Sequence, residues 1–291
     1  MKTPASLSRW QEELNFLLTN RIPRKWLTRL VRRISRSEHP WVKTLSMGLW
    51  RLFAEVDLSD ARTTDFRSLH ECFTRSLRNG ARPIDGDATR LCSPCDGIVV
   101  AAGSVDAGSL LQAKGSTYTL LELLGDPALV RELEEGCYIT LRLTSGMYHR
   151  FHSPAHCTVE KVTHFPGDLW NVNPPALKRV KKLYCQNERA VVQARLASSN
   201  QVIALVPVGA ILVGSIRLHW LDLTLGQHYR GPRTTNCQAS FAKGEEMGWF
   251  EHGSTVILLA PRGFELLPVV TQGAIVRMGA PLVRLPMGLE A

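Results

Sequence analysis

The chain has 291 residues, 44% hydrophobic and 21% charged, with seven Cys and a formal net charge of +9. That mixture supports a real core and excludes disordered, collagenous and low-complexity classes. The charge is concentrated at one end: residues 1–51 hold eleven Lys/Arg and three Asp/Glu, which is +8 of the +9. A basic arm on a nearly neutral body fits a docking segment on an enzyme-like domain. No recognised nucleic-acid motif accompanies it.

The first 80 residues read as helices. Leu7, Trp10, Leu14, Leu17 and Leu18 share a face, and Ser8 with Gln11 could form a capping box. Pro23 suits a first helical position. After it, Trp26, Leu27, Leu30, Val31 and Ile34 form an apolar stripe, and Arg24, Lys25, Arg29, Arg32, Arg33 and Arg36 fill the rest. A third stretch starts at Pro40 and carries Trp41, Leu45, Leu49 and Phe53. A fourth, with Phe66, Leu69, Phe73 and Leu77, stops at Asn79-Gly80. Basic helices with Trp and Leu on the other face suit a membrane interface, where anionic lipid contributes about 1 kcal/mol per Lys/Arg. The plainer alternative packs the apolar stripe on the body and leaves the basic face in solvent.

From residue 90 the texture changes. Segments 98–102, 138–143, 190–194, 202–208, 210–216 and 255–259 are short, β-rich and bounded by Gly, Pro or Asp. They predict an antiparallel β core. Segments 120–124 and 127–134 read as helical insertions. The fold class is therefore α+β: N-terminal basic amphipathic helices, then a predominantly antiparallel β core. The division expected is a helical membrane-docking segment, 1–60, and a β-rich catalytic domain, 61–291.

No secretory signal is visible. The longest uncharged run, 196–216, includes Ser198, Ser199, Asn200, Gln201 and Pro207, and reads as sheet rather than a transmembrane helix. Cys92 and Cys95 form one C-x-x-C without the second pair that a zinc site needs. Reduced thiols in a cytosolic protein are the simpler reading.

Three polar clusters could carry chemistry. Ser93-Pro94-Cys95-Asp96-Gly97 reads as an Asp-Gly hairpin turn or as a catalytic carboxylate at a strand end. Tyr148-His149-Arg150-Phe151-His152-Ser153-Pro154-Ala155-His156 holds three His within eight residues. Pro154 opposes a helix through it, which favours acid–base His over metal ligation. In Gly253-Ser254-Thr255, Gly253 leaves the carbonyl before Ser254 unhindered. A Ser hydroxyl could attack that carbonyl if a His base lay near.

Together and in this order the clusters resemble the pyruvoyl-dependent phosphatidylserine decarboxylases. Asn79-Gly80-Ala81-Arg82-Pro83-Ile84-Asp85 belongs to the resemblance, as do the stretches 113–120 and 167–174 and Asn187-Glu188-Arg189. Lys243-Gly244-Glu245-Glu246-Met247-Gly248-Trp249-Phe250 is its most specific piece. His252 stands where the family commonly has Leu.

The resemblance implies self-cleavage at Gly253-Ser254 into a β chain, 1–253, and an α chain, 254–291. In it Asp96 orients and charges His152, His152 deprotonates Ser254, and Ser254 becomes a covalent pyruvoyl cofactor. The substrate amine would form a Schiff base with that group, and His149, with His152 as the rival, would reprotonate the carbon after CO₂ leaves. No metal is implied. The implied partners are phosphatidylserine in an anionic membrane and the chain's own α and β products, with a homodimer admitted and no nucleic acid. The implied location is peripheral, on the cytoplasmic face of the cell membrane. The competing readings are a biotinyl- or lipoyl-like carrier barrel, from 93–99 and 272–282; a metal hydrolase using His149, His152 and His156; and a pyruvoyl decarboxylase of another amino-phospholipid.

Overall fold

The computed structural model describes residues 23–113, 116–212, 215–251 and 254–286. The expected first helix, 7–18, its capping box, and His252 and Gly253 lie outside the described residues.

Seventeen strands are formed among the described residues. The first nine are β1 (Arg90–Cys92), β2 (Gly97–Ser104), β3 (Ser109–Ala113), β4 (Ser116–Thr119), β5 (Cys137–Leu143), β6 (Arg150–His152), β7 (Cys157–Phe165), β8 (Arg189–Leu196) and β9 (Val202–Gly209). The rest are β10 (Ser215–Leu218), β11 (Leu223–Gly226), β12 (Thr234–Phe241), β13 (Glu246–Phe250), β14 (Ser254–Ala260), β15 (Glu265–Leu266), β16 (Ile275–Val276) and β17 (Pro281–Arg284). Eight of them form one antiparallel sheet in the order β12-β7-β8-β9-β14-β5-β2-β16. A second sheet runs β11-β10-β13-β6, a third β1-β17-β15, and β3 pairs with β4.

Burial explains the sequence texture. Every residue of β9 and β14 is buried, so these central strands read as unbroken apolar runs rather than alternating ones. β12, at the sheet edge, alternates exposed and half-buried positions, the period-2 pattern of a strand with one wet face. The expected insertions are helices at Leu120–Leu124 and Pro127–Leu133. The first has a complete capping box between Thr119 and Glu122 and a left-handed Gly125 as its stop.

Two expectations shift. The fourth helix shrinks to Leu69–Phe73, capped by Ser68. The carbonyls of Thr74 and Arg75, which a longer helix would have used, accept from the Arg150 guanidinium instead, and Leu77 pairs with Ala61. The expected strand 210–216 breaks at a turn in which Leu212 has φ 69°, and β10 starts at Ser215.

The two long N-terminal helices are Arg24–Ser35, with Pro23 at its cap, and Pro40–Phe53, with Pro40 in its first turn. In the first, Thr28 and Ser35 are buried against the body, while Trp26 is 60% exposed and Leu30 and Ile34 also face outward. Arg24 pairs with Asp168, and Arg32 and Arg36 pair with Glu251. The body thus takes Arg24, Arg32 and Arg36 from the polar face, while Trp26, Leu30 and Ile34 of the apolar stripe face outward and Leu27 and Val31 are half-buried, which departs in part from the plainer reading. In the second helix Trp41, Leu45, Leu49 and Leu52 are exposed in a row, at 81%, 75%, 54% and 78%. Met47 and Trp50 point inward onto a small core of Ala61, Phe66 and Cys72. No described helix is long and apolar enough to cross a membrane.

Candidate active site

β13 belongs to the second sheet and β14 to the main one, and only residues 251–253 join them. The Gly253–Ser254 bond therefore sits on the connection between two sheets. Ser254 opens β14, with Leu143 of β5 on one side and Gly209 of β9 on the other. It is fully buried, and its Oγ has no hydrogen-bond partner among the described residues. A buried hydroxyl without a partner carries a desolvation cost of about 1–3 kcal/mol, and among the described residues Thr255 Oγ1 beside it and Ser215 Oγ share that condition.

Asp96 precedes β2. The Asp96-Gly97 step is not a hairpin tip, because β1 pairs with β17 and β2 with β5. Gly97 packs closely: a Cβ there would stand 3.1 Å from the Leu141 Cβ, so a larger residue would push that side chain by a few tenths of an ångström. Asp96 Oδ1 accepts from Met278 N at 2.9 Å and from Arg82 Nε at 2.9 Å, and Oδ2 accepts from Arg82 Nη2 at 2.6 Å. This is a bidentate fork, and Arg82 also holds Asp60 at 2.8 Å. Met278 belongs to the stretch that resembles a carrier half-motif, and β16 beside it pairs with β2. These two half-motifs come together here as the seat of Asp96.

His152 ends β6. Its Nδ1–H donates to the Gly244 carbonyl at 2.9 Å, so Nε2 carries the lone pair, and that lone pair accepts from the Tyr148 hydroxyl at 3.0 Å. Burial pushes the His152 pKa below its ordinary 6.5, against the opposing pull of the Gly244 carbonyl and the Glu246 and Asp96 carboxylates. The ring is thus neutral at pH 7 and competent as a base. Asp96 and His152 each bind other partners. They are linked by charge through space and by a His152 N–H to Pro94 carbonyl bond of 2.7 Å.

His149, also buried, precedes β6. Its Nδ1–H donates to the Met147 carbonyl at 2.8 Å, and its own carbonyl accepts from Phe250 N at 2.9 Å. The ring lies 4.0 Å from the Phe73 ring, and Phe73 meets Trp50 of the Pro40–Phe53 helix at 5.9 Å. An aromatic chain thus runs from the exposed helix to His149. His156, by contrast, is exposed, and among the described residues no group of three or more His, Cys, Asp or Glu is arranged to hold a metal.

A cavity of about 420 Å³ borders this region, lined by Arg75, Arg82, Asp96, Tyr148 and Glu55 among others. Ser254 and His149 are not in its lining. Sequence reasoning assigned no role to Tyr148, Arg82, Gly244 or Glu251. Tyr148 had a signal, since it stands in the same cluster as His152, but its hydroxyl contact needs the fold. Asn187-Glu188-Arg189 is scaffold: Asn187 Nδ2 donates to the Gly209 carbonyl opposite Ser254 at 2.9 Å, and Glu188 pairs with His164 at 2.9 Å.

A family model described as "Phosphatidylserine decarboxylase" matches residues 69–284. The chain is 37% identical over 276 residues to the "Phosphatidylserine decarboxylase proenzyme" of Halorhodospira halophila, covering 91% of each chain. To the protein of the same name from Alcanivorax borkumensis it is 35% identical, covering 94% of this chain and 96% of the relative. The Aliivibrio salmonicida protein of that name is also 35% identical, at 90% and 95% coverage.

Proposed function

The chain belongs to the phosphatidylserine decarboxylase family, and we propose that it converts its own Ser254 into the pyruvoyl group with which it works. As a member of that family it is a carboxy-lyase, made as a proenzyme, that turns phosphatidylserine into phosphatidylethanolamine. The observation that carries the self-processing reading is the burial of Ser254 at the head of β14, directly after Gly253, with its Oγ lacking a hydrogen-bond partner among the described residues.

His152, neutral through burial, takes the Ser254 proton. Tyr148 must first release Nε2, so a small rotation of the phenol precedes the step. The Ser254 oxygen attacks the Gly253 carbonyl and the amide becomes an ester. Elimination breaks the ester, giving a chain that ends at Gly253 and a dehydroalanine at 254. Hydrolysis of that residue releases ammonia and leaves the pyruvoyl group on a chain of 38 residues, 254–291. Asp96, anchored by Arg82, supplies the negative field that stabilises the imidazolium.

When present, the pyruvoyl group supplies the carbonyl that engages the substrate amine and drains the electrons released with CO₂. His149 then delivers the proton that replaces the carboxylate. Its Nδ1–H is fixed on the Met147 carbonyl, which sets the ring's tautomer and orientation.

The outward stripe Trp26, Leu30, Ile34, Trp41, Leu45, Leu49 and Leu52 supports a peripheral docking surface on an anionic bilayer, at its cytoplasmic face. It would hold the site at head-group depth. Residues 1–60 are thus the docking segment and 61–291 the catalytic domain, and a homodimer is compatible with this arrangement.

Intact mass under denaturing conditions tests the reading. Two species split at Gly253–Ser254, the smaller blocked by a pyruvoyl group, are expected. A single species of 32.4 kDa would overturn it.

A further inference from the structure

The segment just before the proposed cleavage point is not held by its own sheet alone. Glu251, two residues before Gly253, has a side chain only 5% exposed, and it sits against the end of the Arg24–Ser35 helix. Arg32 Nε lies 3.1 Å from Oε2, and Arg36 Nη2 pairs with Oε1. A carboxylate at a helix C-terminus meets the negative end of the helix dipole. Two guanidiniums one turn apart converge on Glu251 and offset that repulsion. The same helix touches a second segment nearby, where Thr28 Oγ accepts from Leu212 N at 3.1 Å. The two segments are themselves joined, since Glu251 N donates to the Ser215 carbonyl.

We propose that Glu251, gripped by Arg32 and Arg36, is a positioning residue for self-cleavage, so that the helix carrying the membrane-facing stripe is also a working part of the processing centre. It rests on the reading of Gly253–Ser254 as the self-cleaved bond. The physical reason is orientation. Attack of the Ser254 oxygen needs the Gly253 carbonyl within reach and aligned, and small misplacements of a reacting group are costly in rate. Freed at Glu251, the connection between the two sheets would sample many orientations of that carbonyl. Arg32 and Arg36 therefore serve the body rather than the lipid, whatever the charge of the bilayer.

The test is the rate of self-cleavage of the freshly synthesised full chain, followed by intact mass, beside its melting temperature and its binding to anionic vesicles. Glu251→Gln and Arg36→Gln are each expected to cleave about tenfold or more slowly, the factor for one lost interaction of about 1.4 kcal/mol at the barrier. Arg36→Lys, which keeps the charge, should recover most of the rate. The double variant should be no slower than the slower single one, because both act through one contact. Wild-type rates in both single variants, with lower melting temperature or weaker vesicle binding, would overturn the proposal and leave the ion pairs as a mere anchor. Multiplicative slowing in the double variant would overturn it too. Arg36, on a half-exposed side chain, decides the matter should Glu251→Gln fail to fold. A wild-type chain that never cleaves is a separate failure: it would remove the self-processing reading, and this proposal with it.

Discussion

The Tyr148 hydroxyl donates to His152 Nε2 at 3.0 Å, so the one lone pair with which His152 could accept a proton is already in use. Burial lowers the His152 pKa from its ordinary 6.5, and a hydrogen bond accepted by the neutral ring acts in the same direction. Self-cleavage is therefore expected to lose rate as pH drops through the lowered His152 value, below the ordinary 6.5. In Tyr148→Phe the neutral form loses its support, and the falling limb should move to higher pH. A pH–rate profile of cleavage in both chains checks this; coincident profiles would remove Tyr148 from the account. Stability follows the same sign. The unfolded histidine protonates first, so the folded state is unpenalised above 6.5 and loses ground as pH falls below it.

Ser254→Ala should leave one uncleaved chain. Because the Oγ has no hydrogen-bond partner among the described residues, its removal relieves a desolvation cost rather than breaking a contact. The variant should melt at or above the uncleaved wild-type temperature, with a gain of up to about 1 kcal/mol. Thermal melts beside intact mass give both readings.

His149→Ala separates the two reactions. Cleavage should proceed, since His152 and Ser254 are untouched. Decarboxylation per pyruvoyl group should fall by about 10²–10⁴, the usual worth of a positioned acid. A wild-type turnover in the cleaved variant would assign the protonation step to His152, the rival, instead.

Arg82→Ala removes the fork on Asp96 and leaves a buried carboxylate with only the Met278 N–H. A loss of about 3–5 kcal/mol in folding stability is expected. Asp96→Asn in the same background should restore part of it, because the uncompensated charge goes. Denaturant titration of the four chains of that cycle, each carrying Ser254→Ala so that none is cleaved, measures the coupling.

Trp41→Ser with Leu45→Ser takes two side chains from the exposed row. Burial of each in an acyl layer contributes about 1.5–3 kcal/mol, so vesicle affinity should drop by about 10²–10⁴, with folding unchanged. Vesicle sedimentation reads it. The dependence on anionic lipid should be weaker than a net +8 suggests, because Arg24, Arg32 and Arg36 are engaged by Asp168 and Glu251.

Sequence carried the strands well wherever burial was total, as at β9 and β14, because an unbroken apolar run between turns has few other homes. It carried the order of the chemical clusters too. It did not carry the orientation of the Arg24–Ser35 helix. An amphipathic pattern says that two faces differ, but which face meets the body depends on Asp168 and Glu251, 144 and 215 residues away from their partners Arg24 and Arg36. The Asp96-Gly97 step misled in a similar way: a glycine packed close to Leu141 has the same spelling as a hairpin turn. The last turns of the fourth helix were lost to Arg150, another partner distant in sequence.

The place of β14 changes what a cut at its first residue would mean. The strand lies between β9 and β5, and β17, further along the same segment, lies between β1 and β15. A new chain end would open inside a finished interior, with the ladders on both sides intact. The mature enzyme would then be a heterodimer whose interface is a domain core. Its unfolding would be a dissociation, and its apparent stability would rise with protein concentration. Refolding from separated chains would have to thread a wholly buried strand back between two neighbours. Processing would thus convert a reversible fold into one kept by kinetics, assembled once, while the chain is still continuous.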